Sequence, residues 1–153
     1  MFVRLALESD EDAIVQMARD NIAETRPDME FDEARCRATF KKYLNYADPT
    51  FFVVEDRRLV AGLLVCNFYE YRAASGLFTT QEVLYVQPAS RGTRAAVILM
   101  KQLIAWSKLL GAKEIIGGND NEFQSDRTAR FLEHFGFERV GFAMRRKLTD
   151  GRE

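Results

Sequence analysis

EVLYVQPASRGTRAAVILMKQLIAWSKLL, residues 82–110, is the stretch that decides the fold. Its opening, Val83-Leu84-Tyr85-Val86, is a β-branched and aromatic run of strand length. Pro88 stops it, because proline has no N–H to give to a sheet. Past Ser90-Arg91-Gly92-Thr93 the apolar pattern takes a helical period. Ala96, Leu99, Met100, Leu103 and Leu110 share one face, while Arg94, Lys101 and Lys108 mark another. Gly111 then closes the helix as a left-handed cap. A strand that runs through a glycine-bearing turn into a helix N-terminus suits an anion. The first helical N–H groups lack intrahelical partners, and the helix dipole adds about half a positive charge there. A pyrophosphate fits such a place, though an ordinary strand-to-helix connection reads the same way.

Upstream, Phe2 to Leu7 alternates around Arg4 and predicts a first strand. Ser9 or Asp10 caps a helix whose stripe is Ile14, Met17, Ala18 and Ile22, ended before Pro27. A polar loop leads to a second helix from Asp32 through Tyr43, with Cys36, Phe40, Tyr43 and Leu44 on one face. Asp48-Pro49 breaks the chain. Phe51–Glu55 is a strand, Asp56-Arg57-Arg58 a turn, and Leu59 to Tyr71 a longer strand, so the pair predicts a hairpin. Ala73–Gly76 turns the chain into a strand over Phe78–Val86. Downstream, Lys113–Ile116 is a short strand and Gly117–Asn121 a loop. Ser125 or Asp126 caps a last helix through Phe135, ended by Gly136. Phe137–Leu148 alternates well enough for one or two closing strands. The expected fold is α/β (α+β with a mixed sheet) in a single domain, residues 1–153.

The composition is that of an ordinary globular protein, 47% hydrophobic and 29% charged. A formal net charge of −1 gives no global field for nucleic acid or an anionic membrane. No apolar run has transmembrane length, and the N-terminus turns acidic too soon for a signal peptide. Cys36 and Cys66 are expected as unpaired thiols, and with the lone His134 they form no metal-ligand spacing. These readings point to a cytoplasmic protein without a metal.

Two segments carry a family resemblance. Leu84-Tyr85-Val86-Gln87-Pro88 followed by Arg91-Gly92-Thr93-Arg94-Ala95-Ala96 resembles the acetyl-CoA motif of the GNAT N-acetyltransferase superfamily, Arg/Gln-x-x-Gly-x-Gly/Ala. Arg91 and Ala96 match its ends, and Arg94 stands where the central glycine is expected. Ala129-Arg130-Phe131-Leu132-Glu133-His134-Phe135-Gly136-Phe137 resembles the family's helix ending in Gly-Phe. The order of elements also resembles that fold, in which the fourth and fifth strands splay around acetyl-CoA; here those are Phe78–Val86 and Lys113–Ile116.

The resemblance implies an acetyl-CoA-dependent N-acetyltransferase acting on a primary amine by direct transfer in a ternary complex. It places the backbone of Leu84, Tyr85 and Val86 along the pantetheine. Arg91, Gly92, Thr93, Arg94, Ala95 and Ala96 then surround the pyrophosphate, mainly through N–H groups. Glu82 is the candidate base, since strand alternation sets it on the face of Leu84 and Val86. Thr80 and Gln81 are placed to order a water beside it. Leu132 occupies the place where the family carries a tyrosine acid, so Tyr85, a water, or departure of an unprotonated thiolate are the open substitutes. The acidic first region (Asp20, Glu24, Asp28, Glu30, Asp32, Glu33) favours a cationic acceptor but also suits solvated helices. Phe68, Tyr69, Tyr71 and Phe78 line an apolar wall or fill the core. Arg145-Arg146-Lys147 reads as a solvated strand edge. No nucleophile signature accompanies His134, and Cys66 reads as a buried strand thiol. The alternative is a catalytically impaired relative that binds acyl-CoA or a protein partner, on the evidence of Leu132 and Arg94. A tRNA-directed activity is disfavoured by the charge. A homodimer is compatible with the sequence, and nothing in it demands one.

Overall fold

A computed structural model of the protein describes residues 1–118 and 122–148. The chain divides into two compact units, Met1–Gly117 and Gly118–Glu153, which are described separately. The first holds a five-stranded sheet in the order β1-β2-β3-β4-β5: β1 (Phe2–Leu5), β2 (Thr50–Asp56), β3 (Leu59–Glu70), β4 (Leu77–Val86) and β5 (Ile115–Ile116). The first four strands pair antiparallel and β5 pairs parallel to β4. Between β1 and β2 lie α1 (Glu11–Thr25) and α2 (Glu33–Tyr46), and α3 (Ala95–Leu109) makes the crossover from β4 to β5. The expected mixed α/β sheet is therefore present.

The apolar run Phe51–Val54 is buried at every position because β2 is covered on both faces. Phe51 and Val53 join Ile14, Met17, Phe40, Tyr43, Leu63, Val65 and Tyr85 in the core under α1 and α2. Phe52 meets Trp106 of α3 edge-on, with ring centroids 6.3 Å apart. On α3 the buried positions are Ala95, Leu99, Met100, Leu103 and Ser107. This corrects the expected stripe at both ends: Ala95 is buried and Ala96 half-buried, while Ser107 is buried and Leu110 is 36% exposed. Gly62 sits where α3 approaches the sheet, and a methyl group there would lie 3.0 Å from the Tyr85 carbonyl and 3.3 Å from Leu99.

The helix ends follow the expected capping at α2 and depart from it at α1. Asp32 caps α2 by accepting from the Arg35 N–H at 2.9 Å. Asp10 does not cap α1. Its carboxylate instead accepts from the Leu7 N–H at 2.7 Å and from both terminal nitrogens of Arg4, at 2.7 and 3.0 Å. The β2–β3 turn places Arg57 and Arg58 at φ 51° and 67°, the left-handed pair that a two-residue hairpin turn requires.

The second unit contains α4 (Ser125–Glu133), entered from Gln124 rather than from a Ser or Asp cap. Gly136, at φ +87°, ends the helical turn, and the Phe137 N–H returns to the Leu132 carbonyl at 3.3 Å. The closing strands expected over Phe137–Leu148 are absent, and this segment is irregular. Its own unit offers no other strand among the described residues, and period-two alternation cannot satisfy backbone groups by itself. Arg145, Arg146 and Lys147 are therefore not a strand edge. Arg139 ties the segment to α4 through Glu133 at 3.0 Å. The loop expected over 117–121 falls partly outside the described residues.

Candidate functional site

β4 is half paired and half open. β5 meets it only at Thr79↔Ile115 and Thr80↔Ile116. From Gln81 to Val86 no strand among the described residues pairs with its outer side. Six extended residues make an edge of about 20 Å, along which alternate residues turn their backbone groups away from β3 toward an extended ligand. Leu84 and Val86 face this edge, whereas the Tyr85 backbone faces Leu63 of β3; the edge leads directly into the turn before α3.

A short 3₁₀ turn, Pro88–Ser90, starts that passage. The Arg91 and Thr93 N–H groups donate to the Pro88 and Ser90 carbonyls, at 3.3 and 3.4 Å, and the Ala95 N–H donates to Thr93 Oγ1 at 3.3 Å. The Ile98 N–H reaches back to the Arg94 carbonyl at 2.9 Å. This leaves the N–H groups of Gly92, Arg94, Ala96 and Val97 without partners among the described residues, grouped at the positive end of α3. Gly92 is at φ +81°, with nothing within 4 Å of where a Cβ would stand. The turn thus requires glycine for its backbone rotation, not for space. Arg94 is exposed at the helix cap, so replacing the motif's central glycine has not filled the turn with a side chain.

The Arg91 side chain is used internally. Its Nε donates to the Val86 carbonyl and a terminal nitrogen to Glu24, both at 3.0 Å, and its guanidinium lies 5.4 Å from the Tyr85 ring centre. It braces the turn against α1. Tyr85 is only 4% exposed, and its ring belongs to the core. Burial, with the charge of Asp20 next, pushes its phenol above the ordinary value.

Glu82 is where the structure departs most from strand alternation. Val65 pairs with Val83, but the next residue, Cys66, pairs with Gln81, so Glu82 is the extra residue of a β-bulge. The bulge reverses the parity of β4. Glu82 consequently does not share the face of Leu84 and Val86. Its Oε1 accepts from Tyr69 Oη at 3.1 Å and from Thr80 Oγ1 at 3.3 Å, on the opposite face. The carboxylate is exposed, at the point where β4 begins to part from β5. Gln81 turns the other way, and its buried Oε1 has no hydrogen-bond partner. An orphaned acceptor beside the open edge is suited to a ligand amide N–H.

Other expectations sort themselves around this point. Cys66 is fully buried and donates to the Thr50 carbonyl at 3.7 Å; burial and the Glu82 charge push its thiol up to about 12. The acidity of the first region is mostly engaged: Glu24 pairs with Arg91, Asp28 with Arg26, Glu33 with Arg19, and Asp32 caps α2. It therefore offers little charge to an acceptor. Tyr69, Phe78 and Tyr71 stack along the Glu82 face, with centroids 5.7 and 5.1 Å apart, and form a wall, with Tyr69 exposed. Neither Asn67 nor the bulge is legible in the sequence pattern, where Tyr69 reads only as apolar surface. Their one trace in the sequence is the unbroken polar run Thr79–Glu82, where alternation gives no information about facing. Among the described residues no group of His, Cys, Asp and Glu is arranged to hold a metal, and no helix is long and apolar enough to cross a membrane.

A parted strand pair, a bulge carrying a carboxylate and a helix N-terminus with free N–H groups lie together and make up the candidate site. The sequence profile of the acetyltransferase (GNAT) family matches residues 13–137, and the chain belongs to that family. Membership supports acetyl-CoA-dependent acyl transfer, with acetyl-CoA as cosubstrate. Comparison with curated proteins gives no sequence match. Among solved structures, a transcriptional regulator from Bacillus halodurans is similar over 95% of this chain and 98% of its own, with 21% identity and a TM-score of 0.81. A predicted acetyltransferase with acetyl-CoA from Clostridium acetobutylicum covers 99% and 98%, at 16% identity and a TM-score of 0.77. An aminoglycoside antibiotic 6'-N-acetyltransferase from Acinetobacter haemolyticus covers 96% and 97%, at 17% and 0.75. These likenesses establish the shared fold.

Proposed function

We propose that the protein moves an acetyl group from acetyl-CoA directly to a primary amine in a ternary complex, with Glu82 as the base. The observation that carries this is the position of Glu82 on the bulge, exposed where β4 leaves β5. The open edge of β4, through Leu84 and Val86, holds the extended part of the cosubstrate. The turn from Arg91 to Ala96 receives its phosphates on the free N–H groups of Gly92, Arg94 and Ala96. An amine is mostly protonated at neutral pH, since its pKa is near 10.4. Glu82 takes one proton from the ammonium group; the neutral nitrogen then attacks the thioester carbon. The C–N bond forms, the C–S bond breaks and the thiolate leaves, while the nitrogen gives its second proton to solvent. A backbone N–H of the β4 edge polarises the carbonyl oxygen during attack.

Tyr85 is a poor acid in this scheme because its ring is packed in the core. Solvent protonates the thiolate instead, which an ordinary thiol pKa near 8.5 makes undemanding. The alternative, a relative that binds acyl-CoA or a protein partner without turnover, draws on Arg94 in the motif and on Leu132 in place of a tyrosine. Calorimetry with acetyl-CoA, followed by release of free thiol with spermidine, tyramine, kanamycin and a lysine-containing peptide, separates the two. Binding with turnover of one amine supports the enzyme. Binding without turnover of any supports the alternative. Absence of binding at millimolar acetyl-CoA removes both acyl-CoA readings and leaves a partner-binding domain.

A further inference from the structure

Glu82 is not a lone surface carboxylate. Tyr69 Oη donates to its Oε1 at 3.1 Å. Asn67 Nδ2 donates to the same phenol oxygen at 3.4 Å and to Asp48 Oδ1 at 3.0 Å. Asn67 has no freedom to turn its amide over, because its Oδ1 accepts the Phe68 N–H at 2.9 Å. Asp48 is held in turn by Lys42, 3.4 Å away. The donors therefore run in one direction, from Asn67 through Tyr69 to Glu82. The Tyr69 ring is fixed by Phe78, which stacks on Tyr71 as well. Thr80 adds its bond to the same oxygen of Glu82, so Oε1 is occupied twice and Oε2 remains for another partner.

We infer that Tyr69, oriented by Asn67, is a positioning residue that fixes the Glu82 carboxylate with Oε2 turned to the incoming amine. The inference rests on the base role proposed for Glu82, and it adds residues outside both sequence motifs. A flexible exposed glutamate spends most of its time in other rotamers. One held by a phenol and a hydroxyl presents a single oxygen from a fixed place, which is what proton abstraction in a ternary complex requires. The titratable groups near Glu82 are few: Tyr69 of β3 on the same face, Asp48 behind Asn67, and the buried Cys66 thiol on the other face of the sheet, all but Asp48 neutral. Burial, then the bond to Glu82, raises the Tyr69 phenol above its ordinary value, consistent with a donor that is kept protonated.

Two measurements test this, and they fail separately from the proposed function. In the free protein, tyrosine labelled with ¹³C at Cζ reports each phenol titration, with the Tyr69 signal assigned by its loss in Tyr69→Phe. The Tyr69 titration should lie above pH 10 in the wild type and move back toward the ordinary value in Glu82→Gln. An unchanged titration in Glu82→Gln overturns the inference, whatever the protein does with acetyl-CoA. For the amine that is turned over, Tyr69→Phe should lower kcat about tenfold and Asn67→Ala several-fold. The KM for acetyl-CoA and its thermal shift should not move. Full kcat in Tyr69→Phe would overturn the positioning role even if the hydrogen bond is present. Loss of acetyl-CoA binding in the wild type removes the proposed function but leaves the NMR result to decide the pairing.

Discussion

Two polar side-chain contacts of β4, from Thr79 before the bulge and from Glu82 on it, lie on opposite faces of the strand and differ in burial. Thr79 and Ser107 of α3 share a hydrogen bond of 2.6 Å with both residues buried. Glu82 and Tyr69 meet at 3.1 Å with both exposed. In the first pair water has no access, so each hydroxyl depends on the other and the contact fastens α3 to the sheet. In the second, water can replace either partner, so the contact adds little to stability. A polar contact that stability does not require is the better place to look for chemistry. The structural pair sits on regular ladder, and the candidate catalytic residue is the extra residue of the bulge.

The comparison breaks most visibly at Glu82. Glu82→Gln should lower amine acetylation about 100-fold, about 2.7 kcal/mol in barrier, while the melting temperature stays within about one degree. Steady-state kinetics and calorimetric melting check the two halves of that statement. Thr79→Val should do the reverse. Stranding the Ser107 hydroxyl should cost about 2 kcal/mol in denaturant unfolding, and Thr79→Val with Ser107→Ala should recover most of it. A double variant as unstable as the single one would mean that packing, not the orphaned hydroxyl, sets the cost.

Arg4 and Asp10 sharpen the contrast as a charged, largely buried case. Burial pushes the Asp10 carboxyl up, but the Arg4 guanidinium and the Leu7 N–H outweigh it and hold it below the usual carboxylate range. A lowered folded pKa contributes stability that is present above the ordinary carboxylate value, about 3.9, and is lost as pH falls through the folded value. Asp10→Asn should therefore destabilise by about 1.5–3 kcal/mol at neutral pH, with the gap to wild type closing in acid. The smallest expected effect is at Cys66. Its thiol should resist a disulfide reagent at pH 8, and Glu82→Gln should not expose it, because burial is the larger cause of its raised pKa.

Much of the fold was legible because its signals are local. Phe51–Val54 is apolar throughout, Pro88 ends β4, and Gly111 ends α3 at φ +74°. The backbone portion of the site was equally legible, since a strand, a glycine turn and a helix suffice to define it. The side-chain portion was not. Thr79–Glu82 is polar throughout, so no alternation could reveal that the register slips between Val65 and Cys66. The partner of Glu82 lies on β3, thirteen residues away in sequence. Phe137–Leu148 shows the converse: Val140, Phe142 and Met144 alternate as a strand would, yet the segment is irregular. Pattern describes what a segment could pair with, and pairing depends on what lies beside it.

The unpaired side of β4 also bears on how the protein keeps in solution. Six residues of open, partly apolar strand edge form a template onto which another chain can add, a hazard that folded proteins usually suppress with charge, proline or a covering element. Under the proposed function the same edge must stay bare to admit a ligand. Whatever lies along it therefore acts as a guard against self-assembly. Light scattering of concentrated protein on warming should rise earlier without acetyl-CoA than with it, and the delay should exceed what the shift in melting temperature alone explains.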